Sequence, residues 1–281
     1  MKNNQRTLSR NEATVVLSLR EQGRDTVRAA DVIELMGAER SARKVIHSLL
    51  RKGWLMRLTP GHYLFLPPER GPENLGENNA IAIASAVTAP CYVGWWAAAS
   101  YHGFTTQKPA SVAVAARRDM PVRVIEGTEI RFIHVASRKF FGYKPYDVYG
   151  RSATISTPAK TVVDCLDRPA LAGGPTEVVR IVYGASVDTS ADEVADAALR
   201  MKSTSLVQRL GFVMDLVGWN PSPSARAELK SAIAPSARSV FGQEAPGRGD
   251  IGYVAEWGLF VRASRSTLLA DVPRSVERIA G

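Results

Sequence analysis

The chain has 281 residues, 45% of them apolar, and its 36 lysines and arginines exceed its 27 aspartates and glutamates to give a formal net charge of +9. Two cysteines and four scattered histidines exclude a disulfide framework and the common zinc-binding spacings, so we expect no metal site. No run approaches the roughly 20 apolar residues that span a bilayer, and no apolar stretch directly follows the basic start, which predicts a cytoplasmic protein without a membrane partner.

The basic excess is concentrated near the start of the chain. Residues 1–68 contain 12 basic and 6 acidic side chains, whereas the other 213 residues contain 24 and 21. Two thirds of the net charge therefore lies in one quarter of the sequence. This distribution predicts that an anionic partner binds the first segment.

Three helices are predicted in this basic segment. The first follows Ser9 and Glu12, which have the spacing of a capping box, and ends near Gly23. A second, short helix is predicted over residues 28–36. The third, over residues 39–52, has apolar positions on one side of the helical wheel and basic positions within an arc of about 100° on the other. Such a helix has one face for a core and one for a polyanion.

Two short apolar runs follow, over residues 54–58 and 62–66, and Thr59-Pro60-Gly61 separates them. Pro-Gly at the centre of a turn favours a type II geometry, so the pattern predicts a hairpin. Three helices and a hairpin in this order are typical of a winged helix-turn-helix, whose third helix enters the major groove. The candidate DNA-binding residues are Arg40, Ser41, Arg43, Lys44, His47, Arg51, Arg57, Thr59 and His62.

A basic amphipathic helix can also be an ordinary solvated face, and winged helices also bind proteins. The order of the elements, the Pro-Gly turn and the concentrated charge together favour DNA. The residues near the start of the third helix are the candidates for contacts with base edges or with the first phosphates.

The rest of the chain predicts a linker, a second domain and an extension. Residues 69–79 are polar and rich in Gly, Pro and Asn, which is typical of a linker after a winged helix over 1–68. In the second domain, over 80–218, helices are predicted over 80–87, 93–101, 158–166, 175–183, 191–201 and 205–217. Strands are predicted over 111–115, 122–125, 130–135 and 146–149.

The last segment, residues 219–281, is predicted to be a helical extension with a helix over 225–234 and one strand near 257–261. The expected fold class is therefore α+β. An N-terminal winged helix-turn-helix precedes a mixed α/β domain, and a helical extension follows at the C-terminus.

Catalytic signatures are scarce. Because no phosphate-binding loop, dinucleotide-binding motif or nucleophile elbow occurs, we expect no cofactor and no enzymatic activity. Glu228 and Lys230 have the spacing of a nuclease pair, with Asp147 as a second carboxylate, but that chemistry needs Glu228 on a strand and the pattern predicts a helix. Cys165 lies among apolar residues and is interpreted as core, and Asp164 as a cap or a salt-bridge partner.

The stretch from residue 110 to residue 170 also has a basic bias. It predicts a second basic surface, which would extend a DNA footprint, bind an acidic partner or simply be solvated. Its candidate residues are Arg117, Arg118, Arg131, Lys139 and Lys160.

Several segments, beginning with the one that ends the winged helix, have a recognisable order. They are GHYLFL over 61–66, YVGWWAAASYHG over 92–103, RFIHV over 131–135, KFFGY over 139–143 and ISTPAKTVVDCLD over 155–167. With the winged helix in front of them, these segments resemble the AbiEi-type antitoxins over about residues 5–215.

This resemblance implies a bacterial transcriptional repressor that is also an antitoxin, in a toxin–antitoxin system linked to phage abortive infection. The winged helix would bind inverted repeats in double-stranded DNA upstream of its own operon. The C-terminal domain would counteract a nucleotidyltransferase toxin encoded nearby, and direct contact with that toxin is left open. The alternative is a ligand-responsive winged-helix regulator whose second domain binds a metabolite.

Overall fold

The computed structural model describes residues 7–66 and 79–272, and in these ranges the chain forms eleven α-helices and three β-sheets. The expected α+β fold class is confirmed. The predicted linker at 69–79 lies outside the described residues except for Asn79. The Asn79 side chain accepts the Ala82 N–H at 3.1 Å and so caps the helix that follows.

The first unit has the order of a winged helix. Its elements are α1 (Arg10–Glu21), β1 (Thr26–Arg28), α2 (Ala29–Met36), α3 (Glu39–Arg51), β2 (Leu55–Thr59) and β3 (His62–Phe65). The three strands form an antiparallel sheet in the order β1-β3-β2. Strand β1 was not predicted, because three residues are too few to show an alternating pattern and its partner β3 lies more than 30 residues later.

The second unit is built on a mixed six-stranded sheet. Its elements up to the last strand are α4 (Ala80–Ala86), β4 (Cys91–Val93), α5 (Trp95–Tyr101), β5 (Ser111–Ala116), β6 (Arg123–Ile125), β7 (Thr128–His134), β8 (Tyr143–Asp147) and β9 (Ser152–Ser156). The strand order is β6-β7-β5-β4-β9-β8. The pairs β5–β7 and β4–β9 are parallel, and the other pairs are antiparallel.

Four helices follow the sheet and cover one of its faces. They are α6 (Pro158–Asp167), α7 (Pro175–Ala185), α8 (Ala191–Met201) and α9 (Thr204–Val217). Because side chains alternate along a strand, Ala113 and Ala115 of β5 pack into the core with these helices, whereas Val112 and Val114 pack on the opposite side. That opposite core contains α4 and the wing residues Met56 and Leu64. The winged helix is thus packed onto the second unit.

The last segment differs from its prediction. It contains α10 (Pro223–Ser231), β10 (Ser239–Gly242), β11 (Gly252–Val254), β12 (Leu259–Arg262) and α11 (Arg265–Leu268). The three strands form a sheet in the order β10-β12-β11, whereas only the strand near 257–261 was predicted. The two additional strands have three or four residues each, and β10 lies beside β12 rather than beside its neighbour in sequence.

Two other predictions needed correction. The single helix expected over residues 93–101 is a strand that ends at Val93 and a helix that begins at Trp95, because Val93 pairs with Ile155 in the sheet. The strand expected over 146–149 is β8, which ends at Asp147. Tyr149 and Gly150 form a tight turn with positive φ, and the unpredicted strand β9 follows it.

Candidate nucleic-acid interface

Helix α3 has the two faces that its sequence predicted. Val45, Ile46 and Leu49 are buried in the core of the winged helix, and Gly37 with a φ of +68° makes the turn between α2 and α3. The opposite face is polar and exposed. Its exposed residues are Arg40, Ser41, Arg43, Lys44, His47 and Arg51.

A partly buried ion pair joins α1 to Lys52, the residue that follows α3. The Lys52 ammonium lies 2.6 Å from the Glu12 carboxylate, which also accepts the Ser9 N–H at 2.6 Å in the predicted capping box. Burial alone would raise the pKa of Glu12, but hydrogen bonds from Lys52, Ser48 and Ser9 outweigh it and lower the pKa to about 2. The contact between α1 and the end of α3 therefore contains an ionised Glu12 at neutral pH.

The wing lies beside α3 and shares a groove with it. Gly61 has a φ of +77°, as the Pro-Gly pattern predicted, and the Thr59 hydroxyl oxygen lies 3.2 Å from His62 Nδ1. A groove of about 460 Å³ runs between α3 and the wing, and Arg43, His47 and Arg57 line it. Three of the predicted DNA-binding residues, from two elements, thus line one concave surface.

The start of α3 contains both free and paired charges. Arg43 donates to Glu39 at 2.6 Å, one helical turn away, and both side chains are more than half exposed. Arg40 and Lys44 have no ion-pair partner among the residues that the structure describes. A polyanion would therefore meet Arg40 and Lys44 directly and would compete with Glu39 for Arg43.

Two members of the predicted second basic surface do not contribute to one. Lys160 is buried, donates to Asp164 one helical turn later, and lies over the rings of Tyr92 and Phe141 at 5.4 and 5.0 Å. Lys139 is largely buried and pairs with Asp167 at 2.6 Å. Both predictions were wrong because each lysine has a carboxylate partner that the folded chain brings within hydrogen-bonding distance.

The other three members are exposed. Arg131 pairs with Glu129 at 2.5 Å, which compensates its charge. Arg117 donates to the Ser137 hydroxyl at 2.5 Å, and Arg118 donates to the Thr88 hydroxyl at 3.2 Å. The basic surface is therefore reduced to Arg117 and Arg118, immediately after β5.

The residues around Asp164 form a buried hydrogen-bonded network. Asp164 is a salt-bridge partner, as expected, and its second oxygen accepts the Tyr92 hydroxyl at 3.2 Å. Burial and then the Asp164 charge raise the pKa of the Tyr92 hydroxyl. Cys165 is buried as predicted, and its burial raises the pKa of its thiol well above the ordinary value. Glu228 lies on helix α10, which is not the strand that nuclease chemistry needs.

One residue beside the wing was missed from the sequence. Arg28 ends β1, is exposed, and is the cross-strand neighbour of His62. The sequence did contain a signal for Arg28, since it is one of the basic residues of the first segment. What the sequence did not reveal was the strand that places it next to the wing.

Comparisons with known proteins give the family. A model described as "Transcriptional regulator, AbiEi antitoxin" matches residues 15–65, and one described as "AbiEi antitoxin C-terminal domain" matches residues 92–216. The first match spans the winged helix, and the second spans the sheet and the four helices that cover it. The chain belongs to the AbiEi antitoxin family. The resemblance read from its sequence is confirmed, and neither model describes an enzyme.

Two further comparisons place this AbiEi antitoxin among known proteins. No curated protein matches it significantly. The crystal structure of the RV2827C protein from Mycobacterium tuberculosis is similar, with a TM-score of 0.63, 18% identity, and coverage of 95% of this chain and 96% of that chain. At this identity the similarity concerns the fold alone.

Within residues 7–66 and 79–272, no helix has the length and apolar character needed to cross a membrane.

Proposed function

We propose that this AbiEi antitoxin is a transcriptional autorepressor that binds operator repeats through α3 and the wing. We also propose that its second domain, residues 80–218, counteracts a nucleotidyltransferase toxin, and that the protein acts in the cytoplasm without catalysis. The observation that carries the DNA-binding part is the exposed basic face of α3, which continues into a groove with Arg57 of the wing.

The proposed docking assigns different contacts to different elements. Because the N-terminal part of a recognition helix contacts base edges, the side chains of Arg40, Ser41, Arg43 and Lys44 would contact bases or the nearest phosphates. The wing, with Arg57, Thr59 and His62, would contact the flanking backbone. His47 and Arg51 lie further along the same face of α3.

The test of DNA binding measures affinity for a duplex from the upstream region of the gene and for a scrambled duplex. If the two side chains contact bases, R43A/K44A should lose about 1–3 kcal/mol of binding free energy at each base-reading position, and its preference for the operator over the scrambled duplex should decrease. If they contact phosphates, the variant should bind both duplexes more weakly to the same extent. Glu39→Gln should bind more tightly, because it removes a negative charge and frees Arg43.

The matched control is Arg131→Ala, which removes another exposed, paired arginine, on strand β7 of the second unit. Its affinity should equal that of the wild type. If R43A/K44A keeps wild-type affinity for the operator, α3 is not the recognition helix.

The antitoxin part is tested with the full-length protein so that the shared core stays intact. The neighbouring toxin-like gene is expressed from an inducible foreign promoter, and the antitoxin is supplied from a second promoter. Because repression of the native operon cannot act here, rescue of growth by both wild type and R43A/K44A would place the activity outside the DNA-binding surface. Failure of the wild type to rescue cells from a clearly toxic neighbour would contradict the antitoxin part.

A further inference from the structure

A polar cleft of about 720 Å³ lies between the winged helix and the second unit. Residues of β1 and the start of α2 form one wall, and the end of α4, the start of β9 and the segment after β5 form the other. The volume is in the range of small-molecule sites, which occur preferentially where two units meet.

The cations of this cleft exceed its anions. Asp31 accepts both the Arg28 N–H at 2.7 Å and the Arg24 guanidinium at 2.6 Å, and Asp25 pairs with Arg151 at 2.8 Å. Both carboxylates are therefore compensated inside the cleft.

Two cleft arginines remain uncompensated. The Arg28 and Arg118 side chains, one on each wall, have no carboxylate partner among the described residues. Arg118 donates only to the Thr88 hydroxyl, which is a neutral acceptor. Phosphate groups of a ligand would satisfy these guanidinium groups with charge-assisted hydrogen bonds.

The cleft also has an apolar part. Its accessible apolar residues are Ala86, which is half-buried, and Ala89, which is exposed, and Ser152 and Thr154 belong to the same surface. A ligand that combines phosphates with a flat ring matches this division. We propose that the cleft binds a nucleotide, with its phosphates at Arg28 and Arg118 and its base against the apolar wall.

This site would couple a small molecule to DNA binding, and that consequence rests on the proposed function. Arg28 is the cross-strand neighbour of His62 in the wing, so an occupant contacts the strand that carries a DNA-binding residue. If a bound ligand changes the affinity of the protein for its operator by some factor, binding to the operator must change the affinity for the ligand by the same factor. The protein would then be both an antitoxin and a ligand-responsive regulator.

The experiment measures binding to the full chain without DNA, so its result does not depend on the operator. The probes are ATP, GTP, CTP, UTP and inorganic pyrophosphate, each titrated by calorimetry. At least one nucleotide should bind with 1:1 stoichiometry, and Arg118→Ala should weaken it by about tenfold or more, since a hydrogen bond to a charged group is lost. Arg118→Lys should lose less nucleotide affinity than Arg118→Ala, and Arg131→Ala should bind the nucleotide as the wild type does.

Three results would overturn the proposal. Equal nucleotide affinity of wild type and Arg118→Ala would place the ligand elsewhere. Equal affinity for pyrophosphate and for every nucleotide would remove the role of the apolar wall. Absence of binding by every probe would show that the cleft does not hold a free nucleotide, and weaker operator binding by Arg118→Ala would then place phosphates of the duplex there.

Discussion

At the scale of single residues, Glu12 shows how one carboxylate supports the contact between α1 and the end of α3. Its ordinary pKa is 4.5 and its pKa in the fold is about 2, so the folded protein binds a proton less readily than the unfolded chain. This stabilisation is fully present above pH 4.5 and is lost as the pH falls towards 2. We expect Glu12→Gln to lower the free energy of unfolding at pH 7 by about 1–2 kcal/mol, since the partly exposed Lys52 leaves the pair open to screening by water.

The same variant should change the acid response of the protein. Because Gln does not titrate, the loss of stability between pH 4.5 and pH 2 should be smaller in Glu12→Gln than in the wild type when urea midpoints are compared. Glu21→Gln, on the exposed side of α1, is the control and should change neither quantity. Parallel pH curves for Glu12→Gln and wild type would contradict the assigned role of the Lys52 pair.

At the scale of elements, the contact between Gly211 of α9 and Trp257 attaches the C-terminal sheet to the helices. A Cβ at position 211 would lie 2.3 Å from the Trp257 ring, which is buried and donates to Asp215 at 2.7 Å. We expect Gly211→Ala to destabilise the protein by about 1–3 kcal/mol or more, because the ring cannot move without breaking that hydrogen bond.

A double-mutant cycle separates this clash from a loss of helix stability. Alanine is a better helix former than glycine, so Gly211→Ala should stabilise α9 once the ring is removed. In the background of Trp257→Leu, Gly211→Ala should therefore lower the free energy of unfolding much less than it does in the wild type. The coupling energy between the two substitutions should exceed about 0.5 kcal/mol. Additive costs measured by chemical unfolding would show that the two residues are not in contact.

Local patterns predicted the elements whose stability is local. The capping box at Ser9, the two faces of α3 and the Pro-Gly turn of the wing all depend on residues within one or two turns of each other, and each is found. The strands that were missed, β1, β4, β9, β10 and β11, have three to five residues each, and all except β11 pair with a strand distant in sequence. Their sequence patterns contain too few alternations to identify them.

The same distinction applies to the site residues. The α3 and wing residues were placed from a local pattern, and the structure leaves all of them exposed except the half-buried Thr59. Lys160 was misplaced because its burial depends on Tyr92 and Phe141, which come from two other segments. The spacing of Lys160 and Asp164 did contain a signal, since residues four apart on a helix form ion pairs.

At the scale of the whole molecule, the six-stranded sheet links the two units. One face of β5 packs against α6–α9, and the other face shares a core with α4 and with wing residues such as Met56 and Leu64. Apolar burial of this kind favours one cooperative unfolding transition over independent winged-helix and second-unit transitions. The unit proposed to counteract a toxin and the proposed DNA-binding surface are thus parts of one packed structure.

Arg151 makes polar contacts between the same two units, and its substitution tests how strongly the winged helix is attached. It lies on the second unit, is buried, and donates to Asp25 and to the Phe65 carbonyl at 2.8 Å each, so it joins the second unit to the end of the winged-helix sheet where β1 begins and β3 ends. We expect Arg151→Met to lower the free energy of unfolding by about 2 kcal/mol, since Asp25 is partly exposed and its lost pairing is softened by water.

The distribution of that loss identifies its cause. Because the lost contacts lie between the units, amide exchange in Arg151→Met should accelerate more in β1–β3 than in the helices α6–α9, which pack on the far face of the sheet. Arg131→Ala, which removes an exposed pair on the same sheet, should change the free energy of unfolding by less than about 0.5 kcal/mol. Uniform acceleration in both regions would mean that Arg151 stabilises the whole fold and not the attachment of the winged helix.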